Sequence, residues 1–288
     1  MAQNKVNFGL RKVYFAPFTL DAQGKEVYEK PIAIPGAVSL ELSPNDDSST
    51  FYADNSAYYT TFSGGGQYEG TLEIANVPEE FSVKCLGEKR ITGHNLISES
   101  SNPIKQEFAL LFQVEGDKYE NMYCFFRCTC SRPTVSSETT TETTEPHTVE
   151  LSFTAIPRES DELVKLKTSE TTSLGVKDSW YERVYDGILN SVAQPNITFD
   201  RKVGEANNGD KTFAIVTTGG AKMTGLKVNG VSVATGNANA NWQYTDTNNT
   251  LVIKKAYLDT LGIAFHDIIV QMDKGNNVSL KLTVQQTA

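Results

Sequence analysis

Apolar and polar residues alternate with a period of two over several short stretches. Val38, Leu40 and Leu42 alternate against Ala37, Ser39 and Glu41; Phe108, Leu110, Phe112 and Val114 repeat the pattern, as do Val149, Leu151, Phe153 and Ala155. That period places one set of side chains on one face of a strand. It predicts strands at Val6–Ala16, Ala37–Leu42, Gly70–Ala75, Glu107–Glu115, Tyr119–Cys130 and Thr148–Ile156. A short helix is expected after Asn76, which can cap it, with Pro78, Glu79 and Glu80 in its first turn and Gly87 closing it. A second is expected over Ser179–Leu189: Ser179 and Glu182 form a capping box, and Trp180, Val184 and Ile188 share one stripe.

From Asn196 onward the pattern is mostly short strands, near Asn196–Asp200, Thr212–Val216, Gly225–Val228, Val231–Thr235, Trp242–Thr245, Thr250–Lys254, His266–Met272 and Val278–Val284. VNG followed by VSV is a hairpin signal, and KKAYLDTLG from Lys254 can make one helical turn. The seam falls near Ser191–Pro195, giving two domains, residues 1–194 and 195–288. The expected fold class is mainly β: an antiparallel sandwich or barrel with one or two flanking helices, then an immunoglobulin-like sandwich.

After Leu42 some fifteen residues show neither rhythm, yet Phe51, Tyr52, Tyr58, Tyr59 and Phe62 fall there or just beyond. Long loops in compact domains are disordered or functional, and disordered segments are poor in aromatics. The loop either folds back over its own core or meets a partner; its aromatic surface favours a partner. GGGQYEG from Gly64 precedes a strand instead of opening a helix, so it reads as a loop base and not a phosphate cradle. PNDDSST from Pro44 lacks the spacing of a calcium loop and reads as a turn.

IPGAVSLEL from Ile34, FYADN from Phe51, GGGQYEGTLEI from Gly64 and VPEEFSVKCLG from Val77 together resemble the major tail proteins of long-tailed, siphovirus-type bacteriophages, over roughly Asn4 to Gln194. The resemblance implies a tail-tube subunit whose protomers close into rings, usually hexameric, that stack around a DNA-conducting channel. It implies tape measure and tail terminator or distal tail proteins as partners, and duplex DNA that passes without specific binding. Phe51, Tyr52, Asp54, Asn55, Tyr58, Tyr59 and Phe62 then become a candidate inter-subunit loop. The expected location is the virion tail, after synthesis and assembly in the host bacterial cytoplasm.

In the second block, YTDTNNTLVIKKAYLDTL and HDIIVQMDKGNNVSLKLTV resemble Ig-like modules found beside catalytic domains of polysaccharide-degrading enzymes. Fold membership does not confer sugar binding. Trp242 and Tyr244 share a strand face and are the candidates for a weak carbohydrate contact, although sandwich core is the commoner fate of such a pair. They carry the alternative function, a carbohydrate-binding or adhesin-like surface protein.

Charge changes the picture more than composition does. The net charge is −9, but Met1–Pro195 holds 17 Lys and Arg against 28 Asp and Glu, a balance of −11. Duplex binding rests on neutralising phosphates with cations, so an acidic first domain suits a surface along which DNA slides; ordinary solubility charge has the same composition. Thr134–His147 is a run of Thr and Glu with no apolar face, either a solvated hairpin loop or a contact with a neighbouring subunit.

Cys124, Cys128 and Cys130 lie in YCFFRCTC, without the paired knuckles of a zinc site. Strict alternation would put all three and Phe126 on one face, and with Cys85 they read as buried reduced thiols. His94, His147 and His266 are scattered, and no nucleophile elbow, P-loop or zincin motif occurs. No catalytic residue, cofactor or metal is expected, no run is long and apolar enough for a membrane span, and the N-terminus shows no secretory signal.

Overall fold

The computed structural model describes residues 9–54, 56–115, 120–137, 147–236, 238 and 240–287. The chain divides into two compact units, Met1–Glu170 and Thr171–Ala288.

The first unit contains strands β1 (Leu10–Leu20), β2 (Glu26–Tyr28), β3 (Ile32–Ala33), β4 (Ala37–Ala53), β5 (Ser56–Ile74), β6 (Lys89–Ile91), β7 (Leu96–Ser98), β8 (Phe108–Val114), β9 (Met122–Cys130), β10 (Val149–Ile156) and β11 (Lys165–Lys167). Nine form one antiparallel sheet in the order β2-β1-β8-β9-β10-β5-β4, with β3 beside β1 and β11 beside β9; β6 and β7 make a separate hairpin. Residues from both ends of that order share one core, including Val13 and Phe15 of β1, Phe108 and Leu110 of β8, Leu151 and Phe153 of β10, and Leu72 and Ile74 of β5. The sheet therefore curls over itself as a sandwich. It stays open between β1 and β4, so the barrel alternative is not the one adopted.

The first expected helix forms as α1 (Glu79–Phe81), continued by a π-helical turn at Ser82–Leu86. Gly87 ends it at φ +82°, as expected, but Pro78, not Asn76, occupies the cap position. Phe81, Cys85 and Leu86 lie in the core, where the Phe81 ring meets Phe15 and Phe108 edge-on at 5.0 and 5.2 Å.

One β-bulge alters the cysteine pattern. Phe108 pairs with Cys128 but Leu110 pairs with Phe125, so β9 carries one extra residue. A bulge of this kind reverses the facing of every later side chain. Phe125, Cys128 and Cys130 consequently join the core, while Cys124 and Phe126 are buried outside that cluster, correcting the single-face expectation. The Arg158 guanidinium lies 4.0 Å over the Phe126 ring and pairs with Asp161. All four cysteines are free and buried, and burial pushes the Cys124 and Cys130 thiols up to about 12.

The second unit holds α2 (Leu174–Ser179), β12 (Asn190–Val192), β13 (Asn196–Asp200), β14 (Lys211–Thr217), β15 (Met223–Val228), β16 (Val231–Val233), β17 (Trp242–Thr245), β18 (Thr250–Ile253), α3 (Lys255–Leu258), β19 (Phe265–Met272) and β20 (Val278–Gln285). Sheets β12-β14-β18-β17 and β13-β20-β19-β15-β16 enclose a core of Phe199, Phe213, Leu226, Leu251, Val270 and Leu280. Pairing is antiparallel except that β13 runs parallel to β20, which ties the first strand of that sheet to the last strand of the chain.

One expectation moves here. The helix expected over Ser179–Leu189 instead runs Leu174–Ser179, because Ser173 caps it by accepting from the Val176 N–H at 3.4 Å. Ser179 then turns inward, its hydroxyl accepting from the Asn277 N–H at 3.3 Å. The compact units divide at Glu170/Thr171. A Cβ on Gly175 would lie 2.2 Å from the Asn277 carbonyl oxygen, and Asp178 bonds both Lys227 and Asn277. Most of Thr134–His147 lies outside the described residues; Thr134–Ser137 carries no strand or helix.

These contacts predict different outcomes for two truncations. A chain stopped after Glu170 should fold with one cooperative thermal transition. A chain stopped after Gln194 should in addition bind a hydrophobic dye, because α2 loses the Asn277 and Lys227 partners that seat it. Equal dye binding by the two would contradict the boundary.

Candidate assembly interface

The segment expected to be a loop is the distal part of a β-hairpin. β4 runs 17 residues and β5 runs 19, so strand pairing continues where sequence rhythm stops. At the root, Leu40 and Leu42 of β4 and Leu72 and Ile74 of β5 pack on the core, and β5 also pairs with β10 from Val149↔Ile74 to Ala155↔Tyr68. Beyond that point, Asp46–Ala53 pairs with Ser56–Gly64, and among the described residues no third strand joins them. Eight residues of strand extend roughly 27 Å, so the distal hairpin forms an arm.

Its irregularities explain residues that alternation cannot. Pro44 pairs with Tyr68 but Asp46 pairs with Gly64, so the ladder breaks across the glycine run, with Gly66 at φ +62°. Proline lacks a ladder donor and is tolerated on an edge strand; together Pro44 and Gly64–Gly66 mark where wall becomes arm. Near the tip, Phe51 pairs with Tyr59 and Tyr52 with Ala57, which leaves Tyr58 as the extra residue of a bulge, 75% exposed. The strands join through Asp54 at φ +51°, a left-handed conformation that Asp tolerates, and the Ser56 hydroxyl donates to the Ala53 carbonyl at 3.1 Å.

Of the candidate inter-subunit residues, Asp54 and Tyr58 are exposed at the arm's tip. Phe51, Tyr52, Tyr59 and Phe62 occupy strand positions, but their side chains lie outside the described residues, as does Asn55 altogether. The side chains of Asp46 and Asp47, in the stretch expected to be a turn, also lie outside them, and the backbone there is strand.

A second feature was present in the polar phase of the alternation. Leu40, Leu72, Leu151 and Phe153 face the core, so Ser39, Glu41, Glu69, Thr71, Glu73, Glu150, Ser152 and Thr154 occupy the opposite face of β4, β5 and β10. Those three strands contain no Lys or Arg. Glu73 sits directly opposite Glu150, a like-charge pairing that costs stability. Glu73 accepts hydrogen bonds from the Thr148 hydroxyl at 2.7 Å and the Ser39 hydroxyl at 2.9 Å, which hold its carboxyl below the usual range.

Elsewhere the candidate residues are structural. Trp242 is buried in the second unit's core and its Nε1–H donates to the Val233 carbonyl at 2.8 Å; the Tyr244 hydroxyl donates to Asn249 Oδ1 at 2.9 Å. Trp242 packs into that core, and Tyr244, partly buried, packs against it. His266 is buried, with Nε2 against the Gly262 carbonyl at 2.8 Å and Nδ1 against the Asn229 amide at 2.9 Å. Among the described residues no His, Cys, Asp and Glu cluster could hold a metal ion.

Residues 2–172 match the family described as "Phage tail tube protein". No curated protein matches the chain. Among solved structures, tri-modular endo-β-1,4-glucanases of Bacillus licheniformis and Bacillus halodurans align over 33% and 38% of the chain, at 15% and 16% identity and a TM-score of 0.28 in both cases. The aligned part spans 18% and 19% of those enzymes' own length. SGBP-B of the Bacteroides ovatus mixed-linkage glucan utilization locus, solved with a mixed-linkage heptasaccharide, aligns over 99% of the chain and 65% of its own, at 8% identity and a TM-score of 0.22. Likenesses this slight carry no functional argument.

The arm's root depends on one glycine. A Cβ on Gly70 would lie 1.8 Å from the Glu41 carbonyl oxygen, so β4 and β5 could not keep their register around a larger residue. Gly70→Ala is expected to destabilise the first unit by about 3 kcal/mol, measured by denaturant unfolding; an unchanged midpoint would contradict this packing.

Proposed function

The chain belongs to the phage tail tube protein family, and from that membership we propose how its protomer builds a tube. It is a structural component of the bacteriophage virion tail, and we read its work as assembly and not catalysis. The observation that carries the reading is the arm: a two-stranded ribbon with no third strand among the described residues. An isolated hairpin is marginal in water, and five aromatics are a large apolar load for one. Burying them against the next subunit would contribute roughly 25 cal/mol per Å² of apolar area. Rings, hexameric as the family resemblance implies, would stack through these arms, with tape measure, terminator and distal tail proteins as further partners and the host cytoplasm as the place of assembly. Among the described residues no helix is long and apolar enough to cross a membrane.

The face carrying Glu41, Glu69, Glu73 and Glu150 suits the channel wall. Carboxylates and hydroxyls repel or ignore phosphates and avoid the counterion release that makes DNA adhere. The second unit, a separate sandwich with its own core, fits an Ig-like decoration outside the channel.

Three outcomes test this. Replacing Ser48–Phe62 by Asn-Gly should give a folded protein that forms no tubes by electron microscopy; tubes at normal yield would sink the arm's role. Tubes carrying Glu41→Lys, Glu69→Lys and Glu150→Lys should retain DNA in a salt-dependent way, whereas native tubes should not; equal retention would remove that face from the channel. The chain stopped after Glu170 should give tubes of unchanged inner and reduced outer diameter, and complete loss of assembly would place the second unit in the wall.

A further inference from the structure

The second unit contains Asn–Gly at two places, Asn208–Gly209 and Asn229–Gly230. In such a pair the backbone nitrogen of the glycine can attack the side-chain amide carbon of the asparagine, because no Cβ stands in its way. By sequence the two pairs are chemically alike. The fold treats them differently.

Asn229 and Gly230 form the turn between β15 and β16, closed by the pair Val228↔Val231, with φ +51° and +81°. Asn–Gly suits such a turn because both positions need positive φ. The Asn229 side chain is tied to β19 through both its polar atoms: Oδ1 accepts from the Asp267 N–H at 3.0 Å, and Nδ2 lies 2.9 Å from His266 Nδ1. The Asn229 N–H donates to the Asp267 carbonyl at 2.8 Å. Turning the amide carbon onto the Gly230 nitrogen would break both side-chain bonds and disturb a turn that the hairpin fixes.

Asn208 and Gly209 lie in the connection between β13 and β14. Asn208 Nδ2 donates to the Asp200 carbonyl at 2.6 Å, its one side-chain bond among the described residues. A Cβ on Gly209 would meet nothing within 4 Å, and its φ lies outside the left-handed region. The attacking nitrogen therefore stands in open space, and a single bond restrains the group it attacks.

We propose that Asn208 is a site of spontaneous deamidation and that its hold on β19 protects Asn229 from the same reaction. The Gly209 nitrogen gives up its proton to hydroxide and bonds the Asn208 amide carbon. The bond from that carbon to Nδ2 breaks and ammonia leaves, giving a cyclic imide. Water then opens the imide at either carbonyl to leave aspartate or isoaspartate, so the net exchange is water in and ammonia out, with no oxidant or reductant. The product has no N–H to offer the Asp200 carbonyl and sets acceptor against acceptor. Asp200 also anchors the end of β20, its carboxylate accepting from Gln285 Nε2 at 3.1 Å and from the Thr287 N–H at 3.2 Å. Deamidation thus loosens the connection at the residue that ties it to β20. This inference concerns the second unit alone and is independent of the tail-tube reading.

The test holds the full chain in mildly alkaline buffer and digests it at intervals, with peptide mass spectrometry reading the mass gain of amide-to-acid exchange. Asn208 should convert at least about tenfold faster than Asn229, whose reaction must first break two hydrogen bonds. In concentrated urea, where no fold distinguishes the pairs, the two rates should converge. Gly209→Ala adds a methyl group that meets nothing, so circular dichroism should be unchanged while Asn208 conversion nearly stops. Asn208→Asp, which installs the product at the outset, should speed trypsin cleavage after Lys202 in the same connection. Equal rates in the native chain, a difference that persists in urea, or undiminished conversion in Gly209→Ala would overturn the proposed site; unchanged cleavage of Asn208→Asp would overturn the loosening.

Discussion

A backbone N–H or C=O left without a partner must find one in water, in its own chain or in another. Strand β4 imposes this constraint on the first unit: it is the edge of the sheet, 17 residues long, and among the described residues β5 is the one strand that pairs with it. Long open edges invite pairing with other chains, and proteins usually shorten or block them. Here the edge is managed in two ways. Pro44 and the Gly64–Gly66 run break the ladder, and beyond the break the ribbon leaves the sheet. An edge that would be an aggregation hazard in a monomeric protein becomes a directed extension in one whose family forms tubes.

The same constraint shapes the core that holds the arm. The arm's root must resist whatever load its distal part transmits, and it is clamped on one face by Leu72, Ile74, Leu151 and Phe153, all buried. On the opposite face the strands carry Glu73 opposite Glu150. That juxtaposition costs stability locally and is offset in part by the Thr148 and Ser39 hydroxyls on Glu73.

The second unit ends its sheets in short strands, β12, β17, β13 and β16. β13 joins β20 in parallel, so the strand that follows the short β12 is locked to the last one and the unit's core closes without help. Its α2 helix is seated by Gly175 against the Asn277 carbonyl and by Asp178 on Lys227 and Asn277. These are long-range polar contacts within the second compact unit, Thr171–Ala288.

What the sequence determined by itself follows from one physical fact: periodicity reports one-sided burial. β10 and β20 each bury one face, and their alternation located them to within a residue or two; β8, buried on both faces, was located from its apolar residues, and Gly87 and the turn at Lys255–Leu258 were equally legible because local backbone chemistry fixes them. The polar phase of the same alternation already placed Glu41, Glu69, Glu73 and Glu150 on one side. Only the tertiary structure decided the rest. Ser48–Ala53 and Ser56–Ser63 show no period of two in their sequence, although cross-strand pairing makes them strand. The β9 bulge moved Cys128 and Cys130 away from Cys124 through an extra residue that no local pattern announces. Helix α2 began at Ser173 because its partners, Asn277 and Lys227, stand about fifty to a hundred residues away in the chain, where only packing brings them together.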